Sequence, residues 1–161
     1  MADAAPVLER IARALRLARL EAILVGNAGA AIQGAPVTTI DFDFLIRDSP
    51  RSAAKIEAFA GTLSASVSVP YEGVSRLQRV STADLQVDLL PALCGVRSTF
   101  AGLRSRSTRV PVGRETVIVA SLEDIIKSKR AAARKKDLAV LPILLETLHE
   151  KKKQDRKPKD R

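Results

Sequence analysis

The chain has 161 residues, of which 46% are hydrophobic and 28% are charged, and its formal net charge is +9. Its length and composition are typical of one compact globular domain, and it is too short for two domains of ordinary size. No hydrophobic run approaches the roughly 18 residues that a membrane-spanning helix needs, and Arg and Glu interrupt the N-terminal segment, so we expect a cytoplasmic protein with no membrane partner.

The single cysteine, Cys94, excludes an internal disulfide and a Cys-rich zinc site, in keeping with a reducing compartment. Its neighbours in "LLPALCGV" are mostly hydrophobic, so we expect Cys94 to fill space in the core. Aromatic residues make up only 3% of the chain, which disfavours a platform for stacking single-stranded bases.

The first half of the chain alternates between helix and strand patterns. Residues 5–19 have hydrophobic positions near helical spacing, and "EAILVG" then reads as a buried strand that ends at Gly26. The small residues of "NAGAAIQG" predict a short, closely packed helix, and "IDFDFLI" predicts a second strand. Residues 51–63 predict a second amphipathic helix.

The second half continues with strands and ends in helices. We expect two strands near 75–80 and 85–90, and then a hairpin that turns through "VGRE". Ser121, with Asp124 three residues later, predicts a helix beginning near Leu122, and a last helix follows with a bend or start at Pro142. The order of elements predicts an α+β (or α/β-like) domain, in which a single mixed sheet is flanked by helices.

The last eleven residues differ in composition from the rest. Residues 151–161 contain seven Lys or Arg, two Asp and no hydrophobic residue, so they carry +5 of the net charge. We therefore predict a folded domain over residues 1–150 and a disordered basic tail over residues 151–161. The tail could bind RNA or DNA phosphates weakly, or only keep the protein in solution.

Two aspartates lie inside the hydrophobic strand "IDFDFLI". Residues two apart in a strand point to the same side, so Asp41 and Asp43 share one face, about 7 Å apart. The opposite face is hydrophobic and comprises Ile40, Phe42, Phe44 and Ile46. Two carboxylates in a partly dehydrated site repel each other unless a cation lies between them, and hard oxygen ligands suit Mg²⁺ or Mn²⁺.

A third aspartate, Asp88, is embedded in the predicted strand "LQVDLLP". Three carboxylates on two strands can hold two metal ions, which serve phosphoryl transfer by activating a hydroxyl and neutralising a leaving pyrophosphate. The alternative is that each aspartate only ends a strand or caps a turn. Three strand-embedded aspartates in this arrangement favour the metal site.

Groups that could bind phosphate lie elsewhere in the sequence. "VGNAGAAIQG" supplies a strand, a tight glycine turn and a helix N-terminus, where free N–H groups favour an anion, although Asn27 could simply cap the helix. Lys129 follows Leu122, Ile125 and Ile126 on the hydrophobic face of its helix. Either it reaches a ligand, or its stem lies along that face with its charge in solvent.

These motifs resemble the nucleotidyltransferase superfamily, whose fold is shared with DNA polymerase beta. The resemblance lies in "LVGNAGAAIQG", "TTIDFDFLI" and "LQVDLLP", which match its glycine turn and helix, its Asp-x-Asp strand and its later Asp strand. The ending "SLEDIIKSKRAAARKKDLAVL" resembles a helix of small bacterial members related to abortive-infection toxins. The whole resemblance covers roughly residues 20–145, and its four separated motifs occur in the order expected for the family.

The resemblance implies the catalytic residues. Asp41 and Asp43 would bind the metal ions and the nucleotide phosphates. Asp88 would complete the metal site and act as, or help activate, the base for the attacking hydroxyl. The implied cofactor is Mg²⁺ or Mn²⁺, with an NTP such as ATP as substrate.

The resemblance also implies the residues that bind the nucleotide. Gly26 and Asn27 would hold the β and γ phosphates, and Thr39 would support the turn before the Asp pair. Asp137 would order the helix junction. Three basic residues would face the triphosphate or the acceptor: Lys129, Arg134 and Lys136.

Two positions depart from the family pattern. Asn27 stands where a second Gly or a Ser is usual, and Val37 stands where small bacterial relatives often have Arg. Asn27 is bulkier and leaves less room for a phosphate, although its amide could donate a hydrogen bond.

The implied function is transfer of a nucleoside monophosphate from an NTP to a hydroxyl acceptor. The acceptor would be an RNA end or a protein side chain. The protein could then belong to a toxin–antitoxin or phage-defence system and bind a cognate partner. An aminoglycoside is less favoured because no additional substrate domain is evident. The alternative is a catalytically degenerate member that binds nucleotide, RNA or a cognate toxin.

Overall fold

A seven-stranded mixed sheet forms the centre of the protein, as seen in a computed structural model that describes residues 4–158. Its strands are β1 Ala22–Val25, β2 Phe42–Ile46, β3 Ser66–Ser68, β4 Gln78–Ser81, β5 Gln86–Leu90, β6 Thr108–Val112 and β7 Glu115–Val119. Its helices are α1 Ala4–Ala18, α2 Gly26–Ala31, α3 Ser52–Thr62, α4 Phe100–Arg106, α5 Leu122–Ala132 and α6 Lys135–Arg156.

The order of strands across the sheet is β3-β4-β5-β2-β1-β7-β6. Strand β2 lies near the centre, antiparallel to β1 on one side and parallel to β5 on the other. Strand β7 runs parallel to β1 through one register pair, Leu24 with Val119. The β4–β5 and β6–β7 pairs are antiparallel hairpins, so the sheet is mixed.

Each face of the sheet buries its own hydrophobic cluster. Leu24, Phe44 and Val87 contribute to a cluster that includes residues of α1 and α3 on one face. Ile23 and Leu45 point to the opposite face, where they join residues of α4, α5 and α6. Because side chains alternate along a strand, Asp43 lies on this second face while its neighbours Phe42 and Phe44 lie in the first cluster.

The α+β architecture around one mixed sheet is confirmed. The structure adds two short elements that the sequence patterns did not predict, β3 and α4. It also places Ile40 before β2 with 87% of its surface exposed, so the prediction that Ile40 belongs to the buried strand face was wrong. The turn that contains Thr39 and Ile40 precedes the strand and lifts Ile40 out of the sheet.

Helix α6 extends beyond the predicted domain boundary. It begins at Lys135, contains Pro142 in its interior and ends at Arg156, so residues 151–156 are helical and not a disordered tail. Side-chain contacts stabilise this extension: Lys151 Nζ donates to the amide oxygen Oε1 of Gln33 at 2.9 Å, and Lys153 Nζ donates to Glu150 Oε1 at 3.2 Å. Residues 159–161 of the predicted tail lie outside the described residues.

The prediction for Cys94 was also wrong. The residue is exposed, because β5 ends at Leu90 and the chain has already left the sheet when it reaches Cys94. None of the helices within residues 4–158 has the length and hydrophobicity needed to cross a membrane.

Candidate active site

Asp43 lies in β2 beside the end of β1, whereas Asp41, which was predicted to lie inside the strand, immediately precedes it. The antiparallel register pairs Asp43 with Val25, the residue immediately before Gly26. The glycine turn and the Asp pair, which are separated by about a dozen residues in sequence, are therefore neighbours in the structure.

Gly26 makes room for the Asp43 carboxylate. Its φ of +64° lies in the left-handed region that glycine adopts without strain. A Cβ atom at this position would lie only 2.6 Å from Asp43 Oδ2. The absence of a side chain at residue 26 thus allows the carboxylate to pack directly against the turn.

Asp43 occupies an electrostatically unfavourable position for a carboxylate. Burial, followed by the negative charges of Asp88 and Asp41, raises the pKa of Asp43 to about 6. Lys129 and Lys136 oppose this shift but do not cancel it. Near neutral pH, the site therefore contains a buried negative charge that an added cation would stabilise.

Asp88 lies next to Asp43 but is already paired with an arginine. The two aspartates are register partners on the parallel strands β2 and β5, so their side chains project from the same face. Both Asp88 oxygens accept hydrogen bonds from Arg79 of β4, from Nε at 2.8 Å and from Nη2 at 3.0 Å. Asp88 is 7% exposed, and its hydrogen bond to Arg79 raises the pKa of the arginine.

A basic cluster closes the opposite side of the site, around the junction of α5 and α6. Asp137, which is only 1% exposed, accepts from Arg134 Nε at 2.6 Å and from Lys129 Nζ at 3.4 Å. Burial alone would raise the pKa of Asp137, but these two cations hold it below its usual value. The Arg134 backbone N–H also donates to Asp137, at 3.3 Å, so the aspartate caps α6 and orders both basic side chains.

The turn before β2 is fixed by Thr39, whose Oγ1 donates to the Asp41 carbonyl at 2.5 Å. Asn27 faces this turn, and its Nδ2 lies 3.5 Å from the Thr38 carbonyl. Asn27 Oδ1 is buried and has no hydrogen-bond partner among the described residues. Val37 packs against the second hydrophobic cluster, so this position serves the core.

These groups surround one cavity of about 230 Å³. Its lining includes seven of the nine site residues predicted from the sequence: Asn27, Thr39, Asp41, Asp43, Lys129, Arg134 and Lys136. Gly26 lines an adjoining cavity that shares Asp43, Lys129 and Arg134 with the first. Asp88 lines neither cavity, because its carboxylate is turned to Arg79.

The sequence analysis did not identify Arg79. A signal was nevertheless present, since two strands joined by a short turn near Asp84 form a hairpin that places residue 79 opposite residue 88. In such a hairpin, directly opposed residues of opposite charge are expected to pair.

The carboxylates fit one divalent cation better than two. Asp41 and Asp43 offer hard oxygen donors to one cavity, and the pKa of Asp43 is raised by burial first and then by the negative charges of Asp88 and Asp41. Both Asp88 oxygens already accept a hydrogen bond from Arg79, so a metal ion bound there would share them with the guanidinium. Within residues 4–158, no group of three His, Cys, Asp or Glu side chains is arranged to hold a metal ion. The three-carboxylate metal site remains a prediction.

Comparisons with known proteins identify the fold. No protein-family model matches the sequence, and no curated protein sequence matches it. Solved structures do match. The antibiotic-resistance factor ANT(2'')-Ia in solution superposes with a TM-score of 0.65 at 14% identity, covering 89% of this chain and 83% of that one.

Two further structures are similar. A crystal structure of ANT(2'')-Ia in complex with adenylyl-2''-tobramycin gives a TM-score of 0.63 at 18% identity, covering 92% of this chain and 91% of that one. An antigenic nucleotidyltransferase-like protein from Paracoccidioides brasiliensis gives 0.57 at 12% identity, covering 89% and 74%. With its strand order and the placement of its Asp pair, the chain has the nucleotidyltransferase fold.

Proposed function

We propose that the protein is a metal-dependent nucleotidyltransferase that transfers a nucleoside monophosphate from an NTP to a hydroxyl acceptor. The observation that carries this proposal is the meeting of Asp41 and Asp43 with Lys129, Arg134 and Lys136 around one cavity. Carboxylates on one wall suit a divalent cation, and ammonium and guanidinium groups on the other suit phosphates. The fold supports the same reading.

Each wall of the cavity would have its own task. A Mg²⁺ or Mn²⁺ ion held by Asp41 and Asp43 would neutralise charge on the phosphates during transfer. Lys129 and Arg134 would bind the polyphosphate, and Asp137 holds both in place before any ligand arrives. Such fixed charges stabilise a developing negative charge without reorganising during the reaction.

Asp88 would act through Arg79. If the guanidinium stays in place, both Asp88 oxygens remain hydrogen-bonded to it, and the main role of Asp88 is to hold Arg79. If the pair opens on substrate binding, Asp88 becomes available as a base or a metal ligand. The predicted role of Asp88 in catalysis therefore depends on breaking this ion pair.

The charge of the protein bears on the acceptor. The crystallised complex of ANT(2'')-Ia contains adenylyl-2''-tobramycin, and the present chain matches 91% of that chain, so a small acceptor needs no additional domain. The lack of an evident additional substrate domain therefore does not disfavour an aminoglycoside. A net charge of +9, however, disfavours a polycationic acceptor and favours an RNA end. A protein hydroxyl, with a toxin–antitoxin or phage-defence role, is the further option.

A catalytically degenerate, nucleotide-binding relative is the second candidate function. The Arg79–Asp88 pair and the bulk of Asn27 favour it, since both restrict the space and the oxygen ligands available to a metal-bound triphosphate. This candidate would act by binding NTP, RNA or a cognate toxin.

The test is incubation of the purified protein with each α-labelled NTP, Mg²⁺ or Mn²⁺, and total RNA or cell lysate. Wild type should label RNA or protein, and the Asp41→Ala/Asp43→Ala variant should not. Asp48→Ala/Asp84→Ala is the matched control, since it removes two aspartates from outside the cavity, and it should retain transfer. Equal labelling by the Asp41/Asp43 variant would contradict the proposed site. Binding of NTP by calorimetry without transfer would support the degenerate relative.

A further inference from the structure

A second cleft opens where β1 and β7 separate. The two parallel strands pair only at Leu24 and Val119, and the Ala120 N–H donates to the Leu24 carbonyl at 3.0 Å. Towards their N-terminal ends no register pair joins them within the described residues. The strands therefore diverge, and the resulting cavity has a volume of about 720 Å³, within the range of ligand-binding clefts.

Helices from both faces of the sheet line this cleft. Leu15 and Arg16 come from α1, on the face of the first hydrophobic cluster, and Phe100 and Arg104 come from α4, on the other face. The cleft thus lies in the gap between the strands. It shares no lining residue with the cavity around Asp41 and Asp43. The cleft is lined by Ala22 at the start of β1, and Gly26 follows the end of β1, so the two sites are separated by the length of this strand, roughly 13 Å.

The cleft has an excess of arginine. Its lining contains five arginines and two glutamates. Both glutamates are already paired: Glu115 with Arg16 at 2.7 Å, and Glu21 with Arg47 at 2.5 Å. Four arginines from four separate segments remain: Arg19, Arg104, Arg109 and Arg114.

These four side chains make no polar contact that stabilises the fold within the described part of the chain. Among residues 4–158, none of the four forms a salt bridge, and none donates a side-chain hydrogen bond. Arg19, Arg109 and Arg114 are exposed, and Arg104 is half-buried. Four like charges directed at one cleft repel one another, which costs stability unless an anion binds between them.

We propose that this cleft is a second phosphate-binding site, which takes a ligand carrying several phosphate groups. A planar guanidinium donates two parallel hydrogen bonds to phosphate oxygens, and four of them from different directions match a polyphosphate or a phosphodiester strand. Arg47 already covers Phe100, with its guanidinium carbon 4.7 Å from the ring centroid. Binding would therefore use the phosphates and not base stacking on this ring.

The test uses the full-length protein and two probes, inorganic tripolyphosphate by calorimetry and a labelled 12-nucleotide single-stranded RNA by fluorescence anisotropy. Arg104→Ala/Arg109→Ala/Arg114→Ala should weaken binding of at least one probe by about tenfold or more. For RNA, the slope of log binding constant against log salt concentration should also become shallower by about two. Loss of tripolyphosphate binding alone indicates a small phosphorylated ligand, and loss of RNA binding alone indicates a phosphodiester strand.

Two control variants separate the cleft from general charge. Arg51→Ala/Lys127→Ala/Arg130→Ala removes the same charge from residues outside both cavities and should weaken binding less than about threefold. Arg104→Lys/Arg109→Lys/Arg114→Lys keeps the charge and should recover part of the affinity. Equal losses in the two alanine variants, or no loss for either probe, would overturn the proposal. Asp41→Ala/Asp43→Ala leaves the four cleft arginines in place, so the arginine-to-alanine changes should cause a loss of the same size in that background, and the result does not depend on nucleotidyl transfer.

Discussion

Arg79 and Asp88 face each other across the antiparallel β4–β5 pair, and the guanidinium donates to both oxygens of the carboxylate. Asp88 is also the register partner of Asp43 on β2. One aspartate therefore links an arginine to the carboxylate pair of the candidate active site. The positive charge of Arg79 stabilises the Asp88 carboxylate, but the negative charge of Asp88 still raises the pKa of Asp43.

Replacing Arg79 by Met should leave the Asp88 carboxylate buried without a partner. We expect the free energy of unfolding in urea to fall by about 2 kcal/mol at pH 7, below the range for fully buried pairs because Arg79 is 24% exposed. Arg76→Met breaks the exposed pair with Asp48 and should cost less than about 1 kcal/mol. If the two variants lose the same stability, the Arg79–Asp88 pair has no special role.

Replacing Gly26 by Ala tests the contact between the glycine turn and Asp43. The new Cβ would meet Asp43 Oδ2, and the φ of +64° would also be strained. Gly34→Ala is the control, since its φ of +102° is strained but nothing lies within 4 Å of the new atom. We expect Gly34→Ala to lower the free energy of unfolding by about 1 kcal/mol and Gly26→Ala by about 2 to 3 kcal/mol. Equal effects would show that Asp43 does not pack against the turn.

Replacing Asp43 by Asn should stabilise the protein in a pH-dependent manner. The pKa of Asp43 is raised from 3.8 to about 6, so the folded state binds more protons than the unfolded state between these values. The contribution of Asp43 to stability therefore falls as the pH rises from about 4 to 6, and stays low above it. Chemical denaturation should show Asp43→Asn gaining up to about 3 kcal/mol at pH 8 relative to pH 4. A pH-independent difference would contradict the raised pKa.

Replacing Asp137 by Ala should disorganise the basic wall. Lys129, with 11% of its side chain exposed, would lose its carboxylate partner, and α6 would lose its cap. We expect the free energy of unfolding to fall by about 3 kcal/mol. Asp155→Ala, which removes an exposed charge at the end of the same helix, should change it by less than about 0.5 kcal/mol.

The same two variants distinguish a structural role from a role in binding. Because Asp137 orders both Lys129 and Arg134, Asp137→Ala should lower the affinity of the candidate active site for inorganic tripolyphosphate, and Asp155→Ala should not. Direct removal of the two cations in Lys129→Met/Arg134→Met should cause a loss similar to that of Asp137→Ala. The Arg104/Arg109/Arg114 triple alanine variant serves as the background, so that the second cleft does not mask the result.

Local patterns predicted the parts of the site that lie on single segments. Alternation along β2 correctly placed Asp43 on the face opposite to Phe42 and Phe44. Ser121 was correctly predicted to begin α5, since its Oγ accepts from the Asp124 N–H at 3.1 Å. Lys129 and Asp137 came within reach of each other because a short connection, with Ala133 at a φ of +51°, turns α5 into α6. Patterns of this kind depend on neighbours in sequence, and the sequence displays them directly.

Features that depend on pairing between distant segments were not predictable in this way. The second cleft depends on how far β1 and β7 diverge, and these strands are about 90 residues apart in the chain. Ile40 shows the same limit on a small scale, because alternation alone could not reveal that the turn at Thr39 precedes the strand. The boundary at residue 150 failed because composition did not reveal the contact between Lys151 and Gln33.

The central position of β2 has a consequence for how the site responds to fluctuations. Strand β2 pairs with β1 along one edge and with β5 along the other, so neither edge of its backbone is open to solvent. In native-state hydrogen exchange, the amides of residues 42–46 should therefore exchange only when the whole domain opens, whereas those of the outer strand β3 exchange earlier. We therefore expect the backbone that carries Asp43 to be among the last parts of the chain to open, while Asp41 lies in the turn before it.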